Sequence, residues 1–269
     1  MDTPRITSVM PTTSRRLWCL GRSIRCWHRQ TWPERELLVL SDGPGEVEIR
    51  DTIMKEIGGH QGDPIRHHEA LDAARIRHVH LRETPPTLGD KWNVGFELAG
   101  GPLLHFWGDD DWQSPVLLET VARALLGAGT RIAGSNTMLA RRPRDASTWM
   151  YWSPPVRPHL VGGTIVFRKE LWEKTRLPSA KSASDTAWQL LVYWPSDGTE
   201  EGEEYTMISD PRLYVAWIHD DNTGNALGTD PEAAEKREVW ERITDFDVRK
   251  LIVEDRDLFG LDPEPVVPV

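Results

Sequence analysis

The stretch Leu103-Leu104-His105-Phe106-Trp107-Gly108-Asp109-Asp110-Asp111-Trp112 constrains this chain more than any other. Its apolar half has the length and Gly boundary of a strand covered on both faces. Three consecutive carboxylates follow at once, and adjacent carboxylates repel unless a cation sits among them. Hard divalent ions such as Mg²⁺ or Mn²⁺ take oxygen ligands and complete their shells with substrate phosphates. The stretch therefore predicts a metal site that receives a diphosphate. A plainer reading is a solvated acidic turn ahead of the helix that Ser114-Pro115 begins.

The rest of the chain alternates strand and helix. Ile6–Met10 reads as a first strand, ending at Pro11, Thr12 and Thr13. Leu17, Leu20, Ile24 and Trp27 recur at helical spacing, with Thr13 or Ser14 as the cap. Leu37–Leu40 is a second buried strand before the turn Ser41-Asp42-Gly43. Residues 46–57 read as a helix packed through Val47, Ile49, Ile53 and Ile57, and the polar segment 58–69 as a loop. Ile76–Leu81 is a third strand, and Leu88 opens a helix to Ala99 that carries Lys91 and Asn93. Leu117, Leu118, Val121 and Leu125 mark another helix, stopped by Gly127 and Gly129. This order predicts an α/β chain with a doubly wound, mainly parallel central sheet flanked by helices. Ligands of such sheets bind beyond the carboxyl ends of the strands. Right-handed crossovers bring Pro11–Thr13, Asp42 and Asp109–Asp111 to that one edge.

The second half is less regular. Ile132–Leu139 and Val161–Phe167 read as strands, Arg168–Lys174 as a short helix, and Ser184-Asp185 as the start of a helix packed through Trp188, Leu191 and Val192. Arg141-Arg142-Pro143-Arg144 and Trp149–Pro155 read as exposed loop. Trp149, Tyr151 and Trp152 offer aromatic faces for an acceptor, or pack beneath that loop. Residues 198–204 form an acidic loop, and Leu213–Ile218 is a strand ending at His219. His67, His68, His78 and His80 have no metal-like partners and read as surface or strand residues.

Thirty-two basic against 42 acidic residues leave a net charge of −10, which gives no general attraction to nucleic acid or anionic membrane. No apolar run has the length of a membrane span, and with the first strand read from Ile6 the expectation is that Met1–Arg5 holds no signal peptide. Cys19 and Cys26 lie about 10 Å apart along one helix and cannot bridge each other. A reducing, cytoplasmic setting is the expectation.

In this order the motifs resemble the family 2 glycosyltransferases. The carriers are Ser8-Val9-Met10-Pro11-Thr12, Gln30-Thr31-Trp32-Pro33, Glu36–Gly43, Asn93-Val94-Gly95, Asp109-Asp110-Asp111 with Pro115, Val161-Gly162-Gly163 before Phe167-Arg168, and Ser184-Asp185. The resemblance implies the inverting GT-A fold, with residues 1–230 as one catalytic domain: a nucleotide-binding half (1–112) and an acceptor half (113–230). Residues 231–269 form a helical extension and frayed tail. It implies transfer of a sugar from a nucleotide-diphosphate donor to an acceptor hydroxyl, aided by Mn²⁺ or Mg²⁺. The acceptor is a glycan, a glycoconjugate or a hydroxylated base in DNA. By position, Pro11, Thr12 and Thr13 hold the nucleotide and Asp42 its base, with Lys91, Asn93 and Asp110 on the donor side. Asp109 lies nearer the ribose, and Asp111 is the direct metal ligand with Asp110 and His219. Asp185 is the catalytic base, and Gly162 and Gly163 lie on the acceptor side. Ser184 stands where the family usually has an acid before Asp185, and Trp92 where many members carry Arg. The alternative is a non-catalytic nucleotide-sugar binder of the same fold. A nucleotidyltransferase would need a Gly/Lys-rich phosphate loop after the first strand, and Pro11-Thr12-Thr13-Ser14 is not one.

Overall fold

A computed structural model of the chain describes residues 3–58, 64–142, 147–153, 158–193, 204–219, 222 and 240–243. β1 (Ile6–Thr12), β2 (Arg35–Asp42), β3 (Ile76–Leu81) and β4 (Leu103–Phe106) are joined through α1 (Leu17–His28), α2 (Glu46–Glu56), α3 (Pro64–Ala74) and α4 (Leu88–Leu98). The second half adds β5 (Trp112–Gln113), α5 (Leu117–Ala128), β6 (Ile132–Ser135), β7 (Thr137–Arg141), β8 (Thr148–Trp152), β9 (Val166–Arg168), α6 (Lys169–Lys174), α7 (Ser184–Tyr193), β10 (Tyr205–Ile208), β11 (Tyr214–Trp217) and β12 (Trp240–Ile243).

The main sheet runs β10-β6-β9-β4-β1-β2-β3. β4, β1, β2 and β3 are mutually parallel, and β9 alone is antiparallel, to both β4 and β6. Side chains alternate between its faces, as the pleat demands. Ile6, Met10, Leu37, Val39 and Leu103 pack with α1, α2 and α5. Val9, Leu38, Leu104 and Phe106 pack with Trp92 and Phe96 of α4, Trp172 of α6 and Trp188 of α7. Helices thus cover both faces, and the predicted α/β architecture is found. A second sheet, β12-β8-β7-β11-β5, carries the chain across the edge where the parallel strands end.

The winding places the site. β2 and β3 succeed β1 on one side, whereas β4 lies on its other side, so the order reverses between β1 and β4. That reversal is where a doubly wound sheet opens a crevice. The β1–β4 pairing ends at Val9 with Phe106, and Pro11, which has no N–H to give, stands just beyond it.

Several elements differ from the sequence reading. The expected loop over 58–69 gives way to α3 from Pro64 onward, proline being well placed at a first helical position. Val47 is 52% exposed, because α2 turns Ile49, Ile53 and Met54 inward instead. Leu191 is exposed for the same reason, Trp188, Gln189 and Val192 forming the inner face of α7. Ile132–Leu139 is two strands in different sheets, and Gly162–Thr164 is a 3-10 turn that leaves only Val166–Arg168 extended. The supposed loop around Trp149 is strand β8, paired with β7; Trp149 and Arg141 are buried and the Arg142 guanidinium lies over the Trp149 ring at 5.0 Å. Thr13 and Ser14 open a 3-10 turn before α1, and Thr13 makes no side-chain cap. His78 and His80 sit on β3 with the Ser41 hydroxyl between them, at 2.8 and 2.9 Å. Of the tail expected to be helical, the described residues 240–243 form a strand antiparallel to β8. Arg144, residues 154–155, 198–203 and the remainder of the tail lie outside the described residues. Among the described residues no helix is long and apolar enough to cross a membrane.

Candidate active site

A cleft of about 920 Å³ opens where the loops after β1 and β4 face the second half of the chain. Its lining takes Pro11–Thr13, Arg15, Arg16 and Asp109–Asp111 from the first half of the chain and Tyr151, His159, Gly162, Gly163, Asp185 and Tyr214 from the second. A cavity of this size suits a nucleotide-sized ligand.

The acidic run lies on the crevice, and its three carboxylates point three ways. Asp109 accepts the Thr12 hydroxyl at 2.7 Å and lies 3.4 Å from the Arg16 guanidinium. Burial and neighbouring Asp110 push its pKa up to about 6, with Arg16, Thr12 and Lys91 restraining the rise. Asp110 pairs with Arg16, faces His219 Nε2 at 2.9 Å and accepts Asn222 Nδ2 at 3.3 Å. Burial alone would raise its pKa, but His219 and Arg16 outweigh burial and hold it below the ordinary carboxylate value. Asp111 turns away. It accepts the Tyr214 hydroxyl and, at 3.0 Å, the backbone N–H of Trp217. Burial and the charge of Asp110 push its pKa well up, against those two donors.

Asp111, expected as the direct metal ligand, is thus occupied in tying the acidic loop to β11. Among the described residues no three His, Cys, Asp or Glu side chains converge as a cation cage. Asp110 and His219 do face each other across the acidic loop. One carboxylate and one imidazole suit a Mn²⁺-like ion in donor chemistry. Arg16 supplies the positive charge beside them.

Lys91 lines the cleft from α4. It is buried, 3.1 Å from Asp42, and donates to the Thr12 carbonyl at 2.8 Å, so that it braces the ends of β1 and β2. Burial lowers its pKa despite Asp42. Asn93 lies outside the cleft lining: its amide donates to the Leu177 carbonyl and accepts from Trp172 Nε1 and the Leu177 N–H. Asp42 is likewise engaged with Lys91 rather than lining the cleft.

In the second half of the lining, Ala183 takes a left-handed φ of 51° just before α7 and turns the chain so that Asp185 comes up beside Gly162. Burial raises the Asp185 pKa, and backbone N–H donors and His159 oppose the rise. A β-carbon on Gly163 would fall 2.2 Å from the Tyr214 ring, so only glycine permits that approach. Tyr151 lines the cleft, its hydroxyl 2.7 Å from His159 Nε2. Of its expected companions, Trp149 is buried in the core and Trp152 does not line the cleft.

No family model matches the chain, and no curated protein matches it by sequence. Solved structures do. TarS 1-349 of S. aureus in complex with UDP-GlcNAc superposes with a TM-score of 0.59 at 13% identity, over 96% of this chain and 73% of that one. The mannosyltransferase PcManGT from Pyrobaculum calidifontis, in complex with GDP-Man and Mn²⁺, gives 0.55 at 15%, over 83% and 59%. The chain has a GT-A-like glycosyltransferase fold. It spans 37% of a longer S. aureus TarS structure, with a TM-score of 0.53 at 15% identity over 80% of this chain.

Sequence reasoning passed over Arg16, His159, Tyr214 and Asn222. The pair Arg15-Arg16 directly after the β1 loop was the available signal for the first, and for Asn222 it was the polar run His219-Asp220-Asp221-Asn222-Thr223 at the end of a strand. Nothing in the sequence marked His159 or Tyr214.

Proposed function

We propose that this chain is an inverting glycosyltransferase that moves a sugar from a nucleotide-diphosphate donor to an acceptor hydroxyl. One observation carries the reading: Asp110, which faces His219, and Asp185 both line one cleft, Asp110 from the first half of the chain and Asp185 from the second. The donor lies along the half built from residues 1–112, with Pro11–Thr13 and Asp109 against the nucleotide. The acceptor enters from residues 113–230, past Tyr151, Gly162 and Gly163. Asp110 and His219 would hold a divalent ion, Mn²⁺ or Mg²⁺, which when bound neutralises charge on the departing diphosphate. Asp185 takes the proton of the acceptor hydroxyl as it attacks, a task that needs hydrogen-bond reach and an ionised carboxylate. A base facing the leaving group across the sugar suits a single in-line displacement and hence inversion. TarS 1-349 solved with UDP-GlcNAc and with UDP, and PcManGT with GDP-Man and Mn²⁺, support this donor class.

For the acceptor, a glycan or glycoconjugate is favoured over a hydroxylated DNA base. The basic run Arg141-Arg142-Pro143-Arg144 is the stretch suited to a polyanion, and it is partly spent on the fold, since Arg141 is buried and Arg142 stacks on Trp149. The buried free thiols of Cys19 and Cys26 suit a reducing, cytoplasmic setting. The test is a thermal-shift series with UDP, GDP, UDP-GlcNAc and GDP-Man, with and without Mn²⁺, followed by assays of donor hydrolysis and transfer. Stabilisation that needs Mn²⁺, together with turnover, supports the reading. Stabilisation without any turnover would favour a non-catalytic binder, and no stabilisation by any donor would reject both.

A further inference from the structure

Arg16 is the cation of the acidic cluster. It follows the β1 loop directly, its N–H bonded to the Thr13 carbonyl at 2.9 Å, and its side chain is only 12% exposed. The guanidinium touches Asp110 and lies 3.4 Å from Asp109, and it lines the cleft beside Pro11–Thr13. The Asp110 oxygen that meets Arg16, Oδ2, is the same one that faces His219. A divalent ion held by Asp110 and His219 would therefore meet the Arg16 guanidinium at the same carboxylate. Two cations cannot share it without strong mutual repulsion in so buried a place.

We propose that Arg16 is an exchange residue, resting on the reading of the cleft given above. In the donor-free state it neutralises Asp110. When Asp110 is given over to a divalent cation, Arg16 turns its fork onto the diphosphate of the incoming nucleotide, still anchored beside Asp109. A guanidinium suits this transfer, because its planar donors match carboxylate and phosphate oxygens equally well. The acidic run is held together without metal in the absence of donor, and the cation and the nucleotide bind with positive cooperativity.

The experiment is calorimetric titration of the full chain, wild type and Arg16→Gln, with Mn²⁺ alone and then with UDP or GDP in saturating Mn²⁺. The two effects have opposite signs. Removing the competitor should tighten Mn²⁺ binding in the absence of nucleotide about tenfold, while nucleotide binding in Mn²⁺ weakens about tenfold, the scale of one charge-assisted hydrogen bond. A residue that only shaped the loop would weaken both, and that result overturns the exchange. Equal Mn²⁺ affinity in the two proteins overturns it too, yet leaves metal-assisted transfer standing. Mn²⁺ binding by neither protein, with or without nucleotide, brings both down. Should Arg16→Gln fail to fold, Arg16→Lys keeps the charge without the fork. It should leave Mn²⁺ affinity within about twofold and still weaken UDP or GDP; an Arg16→Lys protein matching wild type for the nucleotide overturns the proposal.

Discussion

Oδ2 of Asp185 lies so close to Gly162 that a β-carbon on that glycine would sit 2.0 Å from it. No side chain can share that space, so the residue after Val161 decides where the proposed base stands. Gly162→Ala must push the Asp185 carboxylate off the cleft wall while leaving the nucleotide side untouched. The expected outcome is loss of transfer by about a hundredfold, from misplacement of a reacting group. Mn²⁺-dependent stabilisation by UDP or GDP should persist. A Gly162→Ala protein that turns over normally would remove Asp185 from the chemistry.

The same carboxylate predicts a pH profile. Burial raises its pKa, and His159 is the side chain that opposes the rise electrostatically. A base must be ionised to accept a proton, so activity falls as pH drops through the raised value, which lies above the ordinary carboxylate range. Removing His159 takes away part of that opposition. In His159→Gln, the acid limb of log kcat/KM against pH should therefore move upward relative to wild type. Movement downward, or none, would separate His159 from Asp185.

Asp110 and Asp111 are neighbours with different expected phenotypes. Asp111 accepts the Tyr214 hydroxyl and the Trp217 N–H, and its removal leaves two buried donors unpaired. Asp111→Ala should cost about 2–4 kcal/mol in denaturant unfolding, the sum of two orphaned groups. Asp110→Asn relieves repulsion with both flanking acids, since its charge raises the pKa of each. Yet His219 and Arg16 hold the Asp110 pKa below its ordinary value, so the fold favours that charge; Asp110→Asn should still lower stability, and it should abolish the Mn²⁺ dependence of nucleotide binding. Unfolding curves and Mn²⁺ titrations of the two variants, run side by side, check the assignment.

These roles explain how far the sequence could be read. Strands β1, β2 and β4 were legible because parallel strands buried on both faces read as nearly continuous apolar runs, and the loops after them converge by topology alone. The site's location followed from that convergence. The division of labour within Asp109-Asp110-Asp111 did not, because partners remote in sequence set it. Thr12 takes Asp109, His219 and Arg16 take Asp110, and Tyr214 takes Asp111. Spacing cannot tell which of three adjacent carboxylates turns which way. The hairpin of β7 and β8 was missed for a related reason: its strands are five residues each and flanked by Arg- and Pro-rich stretches that read as loop. Its burial depends on pairing with β11, some seventy residues further on.

His105 couples the fold to pH from beneath the site. It is fully buried in β4, with Nδ1 3.2 Å from the Ser8 hydroxyl and Nε2 3.2 Å from the Gly163 carbonyl. Burial lowers its pKa from 6.5 to about 3, the Gly163 carbonyl opposing only in part. The unfolded chain therefore binds a proton at this position between pH 6.5 and about 3 that the folded chain refuses. Stability contributed by the neutral ring is complete above 6.5 and is lost as pH falls through that window, by at most about 1.4 kcal/mol per pH unit. His78, whose pKa burial lowers to about 4, acts in the same direction over the upper part of the window. His105→Gln does not titrate yet still offers an amide to the Gly163 carbonyl. It should be less stable than wild type at pH 7, and its urea midpoint should fall less steeply between pH 6.5 and 4.5. Parallel slopes for the two proteins would mean that His105 is protonated in the folded state and that the rim of the cleft below Gly163 already carries its charge.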